Sequence, residues 1–99
     1  MPIDKRIAGR ITRLYVRGEI DLVDADLIRE AGIEALSPQC STLRIDLSGV
    51  TFMGASGLAA LVAIRNDALA SHLLVLENIS PAVRRILRTS GLDTVFTIQ

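Results

Sequence analysis

The chain has 99 residues, with eleven basic and eleven acidic side chains and a formal net charge of zero. A neutral chain has no bulk positive field to gather nucleic acid or acidic lipid, and one Tyr and two Phe leave no set of rings for stacking single-stranded bases. The length fits one domain, residues 1–99, and the lone Cys40 cannot close an internal disulfide.

MPIDKRIAGR lacks the apolar core of a secretion signal, and no apolar run is long enough to span a bilayer. A reducing, cytoplasmic setting is the expectation. One His, one Cys and scattered carboxylates do not make a metal cage, so no metal is expected.

Pro2 to Ala8 reads as at most a short edge strand, and Gly9 as a turn. Thr12, Leu14, Val16 and Ile20 alternate with Arg13, Tyr15 and Arg17, which predicts a strand over about 11–17. Gly18-Glu19-Ile20-Asp21 leads out of it. Leu27, Ile28, Ala31 and Ala35 lie on one helical face, with Asp24 and Asp26 near the start, where negative charge is favoured. Ser37-Pro38 ends that helix.

Leu43, Ile45 and Leu47 alternate with Arg44 and Asp46, a third strand, and Ser48-Gly49 is read as its stop. Beyond the loop, Leu58, Leu61, Val62 and Leu69 recur at helical spacing among alanines. Gly54, Ala55, Ser56 and Gly57 stand where this helix begins, small enough for a partner's backbone to come close. Ser56 there is either an ordinary cap or an exposed functional hydroxyl.

Leu73 to Leu76 is a continuous apolar run, consistent with a strand covered on both faces. Ser80-Pro81 opens a third helix, with Val83, Ile86 and Leu87 inward and Arg84, Arg85 and Arg88 outward. Gly91 stops it, Leu92 packs back, and Thr94 to Ile98 forms a last short strand. The order β-β-α-β-α-β-α-β predicts an α/β fold with a mixed, mostly parallel sheet and alternating crossover helices. The loops at the carboxyl ends of the strands, 18–21, 48–56 and 77–80, should form one binding edge.

Two enzymatic readings are weak. Gly49 to Ser56 has the glycine spacing of a phosphate-binding loop, but Ala55 occupies the lysine position. Gly54-Ala55-Ser56-Gly57 is one residue short of a nucleophile elbow. The only candidate base, His72, precedes the fourth strand at the wrong end.

Four segments together resemble the STAS domains of bacterial anti-sigma factor antagonists. They are the run Leu43 to Leu58, Gly18-Glu19-Ile20-Asp21, Ser80-Pro81-Ala82-Val83-Arg84-Arg85, and Thr89-Ser90-Gly91-Leu92. The resemblance spans nearly the whole chain in order and implies a single STAS-type domain with no catalysis and no cofactor. It implies partner switching: the domain binds an anti-sigma factor, a GHKL-type serine kinase, and so frees a sigma factor. Phosphorylation of Ser56 by that kinase releases it, and a phosphatase resets it. The implied partner-binding residues are Glu19, Asp21, Met53, Gly54, Ala55, Gly57, Leu58 and Ser80. Phosphorylated members commonly carry aspartate two residues before the acceptor, and this chain has Gly54 there.

A second role stays open at this point, constitutive binding as the STAS subunit of a lipid-transport ABC complex or another signalling assembly. A neutral domain with a small-residue face is also compatible with a weak homodimer.

Overall fold

The computed structural model describes residues 3–99, so Pro2, the expected first residue of the edge strand, lies outside it. Ile3–Ala8 (β1) and Ile11–Ile20 (β2) form an antiparallel hairpin whose turn places Gly9 at φ 60°. Then follow Leu22–Ala35 (α1), Thr42–Met53 (β3), Ala55–Ala68 (α2), Leu73–Glu77 (β4), Pro81–Ser90 (α3), a 3-10 turn at Leu92–Thr94, and Thr97–Ile98 (β5). The sheet runs β1-β2-β3-β4-β5 in space, with every pair after the first parallel. The mixed, mostly parallel α/β arrangement is the one expected.

Each crossover therefore steps one strand in the same direction. Right-handed crossovers then set α1 and α2 side by side over one face. Leu14, Val16, Leu43, Ile45, Leu47, Leu74 and Leu76 point into the core beneath Ile28, Leu58, Leu61 and Ile64. Burying each such aliphatic side chain contributes roughly 1.5–3 kcal/mol.

Alternate residues face away from that core. There Arg13 Nε donates to Glu77 Oε2 at 2.8 Å, and Arg44 Nη1 donates to Glu77 Oε1 at 3.1 Å and to Gln99 Oε1 at 2.9 Å. Burial works against the Glu77 carboxylate, yet these arginines hold it below the ordinary glutamate range. Asp46 is likewise opposed by burial but held low by hydrogen bonds from Asn78 and Ser48.

Several boundaries differ from the sequence reading. β2 continues through Gly18 to Ile20 and β3 through Ser48-Gly49 to Met53. The two strands stay paired because the register shifts between Tyr15 and Arg17 and again between Gly18 and Glu19, with an extra residue on β3 each time. At the first shift, Asp46 Oδ1 accepts from both the Ser48 amide and hydroxyl. A Cβ on Gly49 would stand 2.9 Å from Arg17 Cβ, so this glycine marks close strand approach within a bulge, not a stop.

The buried face of α1 is Ala25, Ile28, Gly32 and Ala35, with Leu27 and Ala31 only half-buried beside it. Leu69, the C-cap residue of α2, is 62% exposed and does not join the buried face of the helix. In β4, Leu74 and Leu76 enter the core and Val75 is fully buried on the opposite face, so the strand is covered on both faces as expected, except at its exposed first residue, Leu73. Thr94 belongs to the 3-10 turn, and β5 is limited to Thr97–Ile98. α3 packs beside the upper part of β3, past the end of β4.

Candidate functional site

β4 ends level with Asp46 of β3, at Glu77. β2 and β3 run on together beyond it, through the pairs Gly18–Val50, Glu19–Phe52 and Ile20–Met53. Two of the three expected loops are therefore largely one paired, two-stranded extension, and both α1 and α2 start from its tip.

Asp21 caps α1: its Oδ1 accepts from the Asp24 amide at 2.9 Å. Gly54 is the N-cap residue of α2 and offers no side chain to the first amides. Ala55 is the first helical residue and Ser56 the second, so Ser56 is not the cap. Ala55 is exposed, and Gly54 and Ser56 are half-buried. Ser56 lines a groove of about 270 Å³ between α1 and α2, with Leu22, Ala25, Asp26, Arg29 and Ala59.

Glu19 is exposed on the projection, one residue before buried Ile20. It shares this end of the molecule with Asp21, Gly54, Ala55 and Ser56. Met53, Gly57 and Leu58 lie underneath and are buried. A Cβ on Gly57 would meet Met53 Cγ at 2.5 Å, so only glycine lets the first turn of α2 settle on β3. These three residues set the height of the serine and do not themselves face outward. Ser80 is a correction of another kind. It is buried, and its Oγ accepts from the Val83 amide at 3.3 Å as the N-cap of α3. Its hydroxyl is engaged within the fold.

The sequence reading passed over three exposed apolar side chains at this end: Leu22 (69%), Val23 (68%) and Phe52 (58%). Phe52 also lines a second groove, of about 360 Å³, with Thr51, Met53, Ala82, Arg85 and Ile86. Their signal was available: Leu22 and Val23 fall off the buried stripe of α1, and Phe52 follows a strand that had been closed too early.

His72 stands at the opposite, amino end of β4. Its ring nitrogens lie 3.0 Å from Ser71 Oγ and 3.0 Å from the Ser37 carbonyl oxygen. It offers Ser56 no base. Among the described residues, no group of three or more His, Cys, Asp or Glu side chains could hold a metal ion. Nor, among them, is any helix long and apolar enough to cross a membrane.

A family model described as "Mlab, STAS domain" matches residues 3–98. The chain belongs to the STAS family. Among curated proteins, this STAS domain is 34% identical over 85 residues to the anti-sigma-F factor antagonist RsfB of Mycobacterium tuberculosis, covering 86% of the chain and 70% of RsfB. It also resembles the crystal structure of an anti-sigma factor antagonist from Mycobacterium paratuberculosis, with a TM-score of 0.86 and 29% identity. That match covers 97% of this chain and 82% of the other. The anti-sigma factor antagonist SpoIIAA in its unphosphorylated form shares the fold, with a TM-score of 0.79 at 23% identity over 98% of this chain and 87% of SpoIIAA.

Proposed function

We propose that this STAS domain is an anti-sigma factor antagonist. It binds an anti-sigma factor through the end of the molecule that carries Ser56, Glu19 and the exposed Phe52, and so frees a sigma factor. The observation that carries the reading is the half-buried Ser56 in the second position of α2, beside the paired ends of β2 and β3. The names of the mycobacterial relatives support the same role.

Regulation follows from the hydroxyl. A serine kinase transfers the γ-phosphoryl of ATP to Ser56 Oγ: the O–P bond forms, the bond to the β-phosphate oxygen breaks, ADP leaves and the hydroxyl proton is released. The product adds about −1.5 to −2 charges to a contact surface that was neutral at that point. A partner seated closely against Gly54, Ala55 and Ser56 cannot keep that contact, and it lets go. A phosphatase restores the free serine.

The test pairs the purified chain with its cognate anti-sigma factor and ATP. Phosphate on Ser56, and loss of the complex as it accumulates, is the expected result. Ser56→Ala should bind and never release. A partner that binds elsewhere, leaving Ser56→Asp with undiminished affinity, removes the reading.

Gly54 favours one other reading. It stands where the resemblance places aspartate in phosphorylated members, and it gives a kinase no carboxylate beside the serine. A constitutive subunit of a lipid-transport ABC complex needs none. Co-purification distinguishes the two, by recovery of an ATP-binding transport subunit instead of an anti-sigma factor.

A further inference from the structure

Arg29 lies two turns into α1 and lines the same groove as Ser56. Side chains on a helix lean toward its N-terminus. Arg29 accordingly reaches back to Asp26, one turn earlier, with Nη2 3.8 Å from Oδ1. Both members of this pair are largely solvated, at 49% and 67% side-chain exposure, and the contact is too long for a hydrogen bond. Such a pair holds its arginine weakly. The rest of the groove is Leu22, Ala25, Ala59 and Ala60, which present no competing charge. Its volume of about 270 Å³ leaves room for a tetrahedral group on the serine.

We propose that phosphorylation of Ser56 draws Arg29 away from Asp26 and onto the phosphoryl group, which then sits between α1 and α2. A guanidinium presents a planar fork that matches two phosphate oxygens, and a phosphate near neutral pH carries more charge than the carboxylate it displaces. Asp26 is exposed enough to rotate into water once it loses its partner. The phosphorylated state is thus held by a contact within the domain, in addition to being refused by the partner. This inference rests on the reading of Ser56 as the acceptor and names what receives the new charge.

The experiment places phosphoserine at position 56 of the full chain during translation, so no kinase is needed. The second ionisation of the phosphate is followed by phosphorus NMR across pH 4–8. In the natural background it should fall at lower pH than in Arg29→Gln, by about one pH unit, as expected for an opposite charge nearby. Arg29→Lys should keep most of that displacement, and Asp26→Asn should increase it. The phosphorylated natural chain should also melt above phosphorylated Arg29→Gln, while the two unphosphorylated forms melt together. Identical titrations in the natural chain and Arg29→Gln overturn the proposal, as does an Asp26→Asn variant in which the displacement shrinks. A cognate kinase that fails to modify Ser56 counts against the switch itself and leaves these titrations unchanged.

Discussion

Gly57 and Met53 occupy each other's space: a methyl group on the glycine would stand 2.5 Å from Met53 Cγ and 3.3 Å from Ile20 Cγ2. The first turn of α2 rests on the tip of β3 because this one position has no side chain. Gly57→Ala should therefore lift that turn and cost about 1–3 kcal/mol through overpacking. Urea unfolding reads the loss. Affinity for the partner should drop by more than the unfolded fraction explains, because Ser56 moves with the turn.

Ser80→Ala separates a cap from a contact. Losing the bond to the Val83 amide should cost about 1 kcal/mol of stability. Partner affinity, measured by calorimetry on the folded protein, should not change. The Asp21 counterpart is Asp21→Asn, since asparagine caps as well as aspartate. Stability should hold, so any fall in affinity reports the charge alone.

Phe52→Ala should show the reverse behaviour. The ring is 58% exposed, and its removal should change stability by no more than about 0.5 kcal/mol. If this end receives the partner, the same change should weaken binding about tenfold or more, as a central aromatic contact does. Surface plasmon resonance with the anti-sigma factor checks it.

Acid should loosen the sheet from its open face. Glu77 and Asp46 are both held below their ordinary values when folded, despite burial. A depressed folded value means stability that is fully present above the unfolded value, about 4 for these groups, and lost as pH falls through the folded one. Denaturant midpoints should thus be flat from neutrality to about pH 5 and decline below pH 4. Glu77→Gln should start lower at neutral pH, because Arg13 and Arg44 lose their shared carboxylate, and should fall less steeply with acid.

What the sequence discloses, and what it hides, divides along physical lines. The period-two runs at 12–16 and 43–47, the Ser80-Pro81 start and the Gly91 stop depend on neighbours along the chain, and each was legible. The continuation of β2 and β3 was not. Gly18 and Gly49 look like breakers locally, yet each is accommodated by a shift against the strand opposite, a partner that local patterning does not identify. The same closure hid Phe52. Ser56 was legible as a helix-start hydroxyl, but its half-buried placement depends on Gly57 fitting over Met53, and its shared groove with Arg29 on how α1 lies against α2. Ser80 was legible as the cap of α3, and its burial depends on how α3 packs, which local patterning does not show.

The strictly sequential strand order carries a kinetic corollary. Every strand is laid beside the one that precedes it in the chain. Only the β1-β2 hairpin is local; the parallel pairings join Ile11 to Thr42, Thr42 to Leu73 and Val75 to Thr97, and each must wait for its whole crossover, which slows folding. A nascent copy can add each β-α unit to an edge that already exists, with β5 the last piece docked.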